Sequence, residues 1–291
     1  MRITNSMLSA TFMRDLNQNL RNLARKQHQL ATGRLISRPS DDPVGIVHSL
    51  RLRSELADIE RYGKNVDHAL AWLSTTETGL SQTCELLQRA RELAVYGANS
   101  TLPQESLDAL AKEVDQLLEQ MVQVANTSYA GQHVFAGTNT KTPPFTATGD
   151  YQGNGQAKET EVGAGLNFAY NLDGETVFKQ PDAFKALQDL RAHLLSGDTG
   201  QISGSDIGAI EGSIDHVLSL LAEVGARVNR LELTKARLEQ ANIDFTSLLS
   251  KVEDVDVAAA IMELMNHEHV YQVALATGAR IIQPSLVDFL R

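Results

Sequence analysis

The sequence of 291 residues contains one cysteine, few aromatic residues and no long apolar run. A single cysteine, Cys84, excludes an intrachain disulfide and leaves the redox compartment undetermined. Aromatic residues make up only 5% of the chain, which suits helix seams better than a large globular core. No apolar run approaches the roughly 18 residues of a membrane-spanning helix, so we expect no membrane insertion.

Positive charge is also scarce. The chain has 26 Lys and Arg residues against 36 Asp and Glu, and its formal net charge is −10. Nucleic-acid affinity rests mainly on Lys and Arg that neutralise phosphates, so this balance argues against a nucleic-acid partner and against an anionic membrane surface. The N-terminus also lacks a basic region followed by an apolar stretch, so we predict no cleavable secretion signal.

Two long segments repeat apolar residues at the 3.5-residue spacing of a coiled coil. One runs from Leu52 to Ala94 and the other from Ile210 to Val252, and both predict long helices that pair in an antiparallel coiled-coil rod. Polar residues interrupt the two seams, either at a solvated edge or to set the register between the helices. They are Glu77, Arg91, Lys235 and Asn242.

Shorter amphipathic helices are predicted at both ends. The first stops near Thr32-Gly33, because glycine accepts the left-handed conformation after a helix. The second, long helix begins at Pro43 with Asp42 as its N-cap, and a return helix covers residues 107–124. The last helix begins near Glu253-Asp254-Val255-Asp256, because acidic residues favour a helix N-terminus. The apolar stripe of the first helix is Leu16, Leu20, Leu23, Gln27 and Leu30, and that of the last helix is Val257, Ile261, Leu264, Glu268, Tyr271, Leu275 and Ile282.

The composition changes between the long helices, where aromatics, glycines and Pro143-Pro144 accumulate. Gly153-Asn154-Gly155 and Asp173-Gly174 are typical of hairpin turns, so this stretch predicts a β-rich insert. A helix over 182–195 and a loop over 197–204 follow. The predicted fold is mainly α with a small β-rich insert. Its parts are terminal helical segments 1–42 and 254–291, poorly ordered until assembled, a long-helix domain 43–128 and 182–253, and an outer insert 129–181.

No catalytic, cofactor or metal site is predicted. His267-Glu268-His269 places its two imidazoles about 200° apart around a helix, whereas a zincin motif places them on one face. Asp41 and Asp42 are explained by capping next to Pro43. Cys84 occupies a seam position without a nearby basic group, which is typical of a buried, inert thiol.

Several motifs resemble the bacterial flagellin family. They are the opening Met1–Met7, Leu30–Ser37 running into Pro39–Pro43, and Leu87–Val95 followed by Ala98–Thr101. Within that family, Tyr129–Thr138 with Thr142–Phe145 and the ending Pro284–Arg291 resemble the hook–filament junction branch more than the filament subunits. The resemblance covers roughly residues 1–145 and 205–291.

The resemblance implies a structural subunit that joins flagellar hook to filament after type III export. It implies a homo-oligomer in a tubular assembly, contacts with a neighbouring hook-associated junction protein and with flagellin, and a secretion chaperone on the C-terminal helix. The segment around Arg89 and Leu93 contacts neighbouring subunits in flagellins and, in some, a host receptor. The alternatives are a short flagellin, a cytoplasmic coiled-coil scaffold and, resting only on the insert, an enzyme.

Overall fold

The computed structural model describes residues 5–282, with no account of the side chains of residues 5, 6 and 280–282. The predictions for Met1–Thr4, for Pro284–Arg291 and for the side chain of Ile282 concern residues outside the described part. The chain divides into two compact units. The terminal unit comprises the described residues up to Asp58 and from Asn242 onward, and the central unit comprises Ile59–Ala241.

Helices dominate both units. They are α1 (Asn5–Thr32), α2 (Pro43–Gly97), α3 (Gln104–Ala125), α4 (Gly174–Phe178), α5 (Ala183–Ser196), α6 (Thr199–Gln201), a π-helical turn (Ile202–Asp206), α7 (Ile207–Glu253) and α8 (Val257–Ile282). The strands are β1 (Ser128–Tyr129), β2 (Gln132–His133), β3 (Glu159–Gly163) and β4 (Leu166–Ala169). The two long helices, α2 with 55 residues and α7 with 47, run through both units and confirm the long-helix prediction.

Helix boundaries follow the predicted capping signals. Gly33 ends α1 with a φ of +69°, which a glycine adopts without strain. The Asp42 Oδ1 atom accepts a hydrogen bond from Val44 N at 3.0 Å, so Asp42 caps α2 just before Pro43. Asp256 does the same for α8, accepting from Ala259 N at 3.1 Å. These local rules decide where each helix can begin and end.

Within the central unit, α2 and α7 are antiparallel partners. Two salt bridges join them, Arg91–Glu211 at 2.7 Å and Lys235–Asp67 at 2.8 Å. From the Asp67–Lys235 pair to the Arg91–Glu211 pair, the residue number rises by 24 on α2 and falls by 24 on α7, so both pairs fit a single antiparallel register. Arg91 and Lys235 therefore connect the two helices along a solvent-exposed edge, which is compatible with both alternatives for these positions, whereas Glu77 is exposed.

Helix α2 carries a second buried stripe that the apolar repeat did not reveal. Its members again follow three- and four-residue spacing, but most are small or polar. Gly79 lies so close to Phe135 that a Cβ would come within 3.1 Å of that ring, and a Cβ at Gly97 would come within 2.6 Å of Leu194. The second stripe comprises Tyr62, Ala69, Trp72, Thr76, Gly79, Thr83, Ala90, Leu93 and Gly97. It allows α2 to pack on a second side in addition to α7.

The central unit buries α3 and α5 as an amphipathic pair. Helix α3 buries one apolar face, and Asp182 caps α5 by accepting from Lys185 N at 2.9 Å. The predicted loop over 197–204 was wrong beyond Asp198. Because Asp198 Oδ1 accepts from Gln201 N at 3.1 Å, a new helical turn starts there and continues through the π-helical turn into α7.

The insert contains less strand than predicted. It has two short antiparallel hairpins, β1–β2 and β3–β4, and a separate core of aromatic rings in tilted and edge-to-face contact. The predicted hairpin turns were wrong: the chain reverses at Ala130-Gly131 and at Ala164-Gly165 instead. Asp173 caps α4, accepting from Thr176 N at 2.9 Å, because Asp suits a helix N-cap as well as a turn. The ring core comprises Phe135, Phe145, Tyr151, Phe178 and Phe184.

Candidate assembly surface

Helices α1 and α8 pack against each other in the terminal unit. Phe12 lies on Gly278, where a Cβ would come within 2.1 Å of its ring. Fourteen residues further along α1, Lys26 forms a salt bridge with Glu263. From the first contact to the second, the residue number rises along α1 and falls along α8, so the two helices are antiparallel with one defined register.

The face of α8 that turns toward α1 is made mostly of small and polar residues. Ala260 and Gly278 are buried, and the half-buried positions between them follow the same spacing. Those positions are Leu264, His267, Tyr271 and Ala274. Of the predicted apolar stripe, Leu264 and Tyr271 lie on this face, and small residues such as Gly278 permit a close helix approach there.

The larger apolar residues of α8 lie outside that contact. Ile261 is 40% exposed, Leu275 44% and Val257 55%, and Met262 and Met265 are more exposed still. On α1, Leu16 and Leu23 are half-buried, whereas Leu8, Met13 and Leu20 are exposed. Apolar surface concentrated on two paired helices is typical of a site that another helix covers.

A further exposed apolar strip begins α2 in the same unit. Val44 is 71% exposed, Val47 64% and Leu50 61%, at intervals of three residues along one side of the helix. The spacing puts the three side chains in a row that a partner helix could cover.

A buried carboxylate connects the chain segments between the terminal and long helices. Glu253 is 5% exposed, and its carboxylate accepts hydrogen bonds from Ser49 Oγ at 3.1 Å and from Arg53 Nη2 at 2.5 and 2.8 Å. Arg34 Nε lies 2.9 Å from the same carboxylate. Burial alone would raise the pKa of Glu253, but the hydrogen bonds from Arg53 and Ser49 and the charges of both arginines outweigh it and lower that pKa.

Backbone hydrogen bonds reinforce this junction. Leu35 N donates to Glu253 O at 2.7 Å, and Val255 N donates to Gly33 O at 3.0 Å. The strand-like bridge between Arg34 and Asp254 closes the same contact. The segments before α2 and after α7 are therefore fastened side by side, and α1 and α8 continue from that point.

The histidine, aspartate and cysteine side chains that could act as metal ligands or nucleophiles lie apart from one another. His267 is half-buried beside α1 and His269 is exposed, and among residues 5–282 no cluster of three His, Cys, Asp or Glu could hold a metal ion. Asp41 accepts from Arg38 N at 3.0 Å, in keeping with a local structural role. Cys84 is buried, and that burial raises the pKa of its thiol. No described helix is both long and apolar enough for a transmembrane span.

The segment around Arg89 and Leu93 divides between surface and core. Arg89 is exposed and forms salt bridges with Glu92 at 2.8 Å and with Glu113 at 2.7 Å. Leu93 is 4% exposed and belongs to the core of the central unit. Arg89 therefore lies on the surface of the central unit, whereas Leu93 packs inside it.

Two family models match the chain over most of its length. The bacterial flagellin N-terminal helical region matches residues 3–140, and the bacterial flagellin C-terminal helical region matches residues 207–290. The chain belongs to the bacterial flagellin family. It is accordingly a structural subunit of the bacterial flagellum, and the exposed faces of α1 and α8 are candidate surfaces for flagellin-type self-assembly.

Individual relatives include both branches of the family. Flagellar hook-associated protein 3 of Escherichia coli is 25% identical, over 94% of this chain and 95% of that protein. Flagellin FlaB1 of Treponema pallidum is 24% identical, over 99% and 100%. Overall identity therefore does not separate the two branches.

Solved structures of hook-associated proteins share the fold. Bacillus cereus FlgL is 26% identical, with a TM-score of 0.62 over 69% of this chain and 99% of that chain. The flagellar junction protein FlgL of Legionella pneumophila is 19% identical, with a TM-score of 0.57 over 72% and 100%. This agreement confirms the predicted flagellin-type helical fold with a small strand-containing insert.

Proposed function

We propose that this flagellin-family subunit is the adaptor that joins the flagellar hook to the filament. The main support for the proposal is the similarity to the solved structure of Bacillus cereus FlgL, which extends over 99% of the solved chain. A structural rather than catalytic role follows from it. The adaptor would stand between a neighbouring hook-associated protein on one side and flagellin on the other.

The start of the insert supports the same assignment. The motif that resembles the junction branch, Tyr129–Phe145, supplies the β1–β2 hairpin and two of the insert's buried rings. Phe135 is fully buried and packs on Gly79 of α2, and Phe145 is 3% exposed. Phe135 therefore anchors the insert to the long helix, and Phe145 packs among the other rings, so both aromatic positions of the motif have a structural role.

The assembly mechanism rests on the terminal helices. α1 and α8 pair through small residues and leave Ile261, Met265 and Leu275 exposed, so their larger apolar faces are available to equivalent helices of neighbouring subunits. Burial of these faces would order residues 1–42 and 254–291 in the tube. The long helices would form the wall, and the insert 129–181 would face outward.

Before export, the exposed face of α8 is an aggregation hazard, and a secretion chaperone that binds it in a groove would mask it. Deletion of residues 256–291 should then abolish both chaperone binding and assembly. The long-helix core should stay folded, as measured by circular dichroism. Assembly that survives this deletion would contradict the mechanism.

Deletion of the gene tests the adaptor role. Cells should form intact but bare hooks and release unpolymerised flagellin into the medium, as seen by electron microscopy and immunoblotting. Full-length filaments in the deletion strain would rule the adaptor role out. Protein retained in the cytoplasm of hook-bearing cells would favour a scaffold instead.

A short flagellin is the second candidate. It is favoured by the match to Treponema pallidum flagellin FlaB1 along that protein's entire length. In that case the deletion strain should lack filament monomer altogether, and the purified protein should polymerise into long filaments.

A further inference from the structure

Positive charge is concentrated at the N-terminal end of this acidic chain. Residues 1–42 carry seven Lys and Arg against three Asp and Glu, whereas the whole chain has a net charge of −10. The rest of the chain is therefore strongly acidic. Since opposite charges select and orient partners, the acidic part of a second copy is complementary to this segment.

A cavity of about 320 Å³ lies between the second half of α1 and the loop that precedes α2. Arg21, Arg25 and His28 line it from the helix, and Arg38 lines it from the loop. The lining contains one carboxylate, Asp41, which already accepts a hydrogen bond from Arg38 N at 3.0 Å. The cavity therefore retains an excess of positive charge.

The guanidinium groups of this cavity have unused capacity for an anion. Arg21 donates to the neutral Gln18 Oε1 at 2.8 Å. Within residues 5–282, no salt bridge of 4.0 Å or less involves Arg21, Arg25 or Arg38. Charged donors in a shared concave site are suited to bind a carboxylate.

A buried amide belongs to the same lining. Gln29 is 7% exposed, and its Nε2 donates to Leu35 O at 2.8 Å, which sets the orientation of the amide. Its Oε1 is enclosed by the protein, so a ligand in the cavity does not reach it. The arginines therefore decide what the cavity binds, and an acidic peptide segment offers the carboxylate that they suit.

The first turn of α3 offers such a carboxylate. Glu105 lies in that turn and is exposed, and among residues 5–282 no salt bridge of 4.0 Å or less involves it. We propose that the first turn of α3 in a second copy docks into the cavity, with Glu105 between the guanidinium groups. This inference rests on the proposed assembly role.

Charge reversal tests this contact in the full-length protein. Arg25→Glu and Glu105→Arg should each weaken the association between copies more than about tenfold, because like charges then face each other. The double variant should regain most of the association. The matched controls are Arg14→Glu on α1 and Glu119→Arg on α3, both at exposed positions outside the contact.

The measurement is the number of filament-bearing cells when each variant complements the gene deletion, with export checked by immunoblotting and folding by thermal melting. Single reversals that fail and a double variant that restores filaments would support the contact. If the wild type restores filaments and both single reversals match their controls, or the double variant does not recover, the contact is overturned while the adaptor role stands. A wild type that restores no filaments overturns both.

Discussion

A carboxylate placed on the buried face of α7 should destabilise the central unit far more than a carboxylate placed two residues away on the exposed face. Leu231 is fully buried in the main core, whereas Leu233 on the same helix is 73% exposed. Leu231→Asp removes a buried side chain, at about 2–5 kcal/mol, and buries a carboxylate without a partner. We expect a total loss of about 4 kcal/mol or more, and Leu233→Asp should change the free energy of unfolding by less than about 0.5 kcal/mol.

The single tryptophan reports on this unit. Trp72 is fully buried in the same core as Leu231, so its fluorescence follows unfolding of the central unit in urea. In the native state the buried carboxyl of Leu231→Asp should have a pKa above its unfolded value of about 3.9. Its destabilising effect should therefore be smallest below about pH 4 and grow as the pH rises through the raised pKa.

Leu231→Ala separates the lost packing from the buried charge, because it creates the cavity without the carboxylate and its cost should not vary with pH in this range. Equal urea midpoints for Leu231→Asp and Leu233→Asp would contradict the antiparallel seam. A cost for Leu231→Asp that stays the same from pH 3 to pH 7 would contradict the electrostatic part of the reasoning.

Further predictions concern the terminal unit. Glu253→Ala should lower the free energy of unfolding of this unit by about 2 kcal/mol and so speed its amide hydrogen exchange. Because the pKa of Glu253 is lowered, this loss of stability should be complete above about pH 4.5 and should vanish as the pH falls through the lowered pKa. The control Glu60→Ala, which removes an exposed salt bridge, should have almost no effect on stability. Gly278→Leu should separate α1 from α8 and abolish assembly without shifting the Trp72 transition, whereas Gly212→Ala, which has open space around it, should assemble normally. Limited proteolysis of the free protein should trim about 30–40 residues from each end, and rapid cleavage inside the long helices would contradict this architecture. His267→Ala should leave the melting temperature nearly unchanged, and stoichiometric zinc binding by the wild type would show that a metal site had been missed.

Local sequence signals determined the helices and their ends. Asp42 before Pro43, Gly33 after α1 and Asp256 before α8 act within one turn of the backbone, so the sequence predicts their effects without knowledge of any distant residue. The 3.5-residue repeat of large apolar residues likewise predicted both long helices, because one face must stay buried along the entire seam.

Tertiary structure decided which other faces are buried. Small residues on α2 and α8, such as Gly79 and Gly278, are buried only because Phe135 and Phe12 come from elsewhere in the chain to cover them. Asp173 suits either a turn or a helix cap by sequence, and in the folded chain it caps α4. The Glu253 cluster joins residues about 200 positions apart in sequence. The sequence by itself determined where helices form, and only the folded chain decided which surfaces they hide and which remain exposed for assembly.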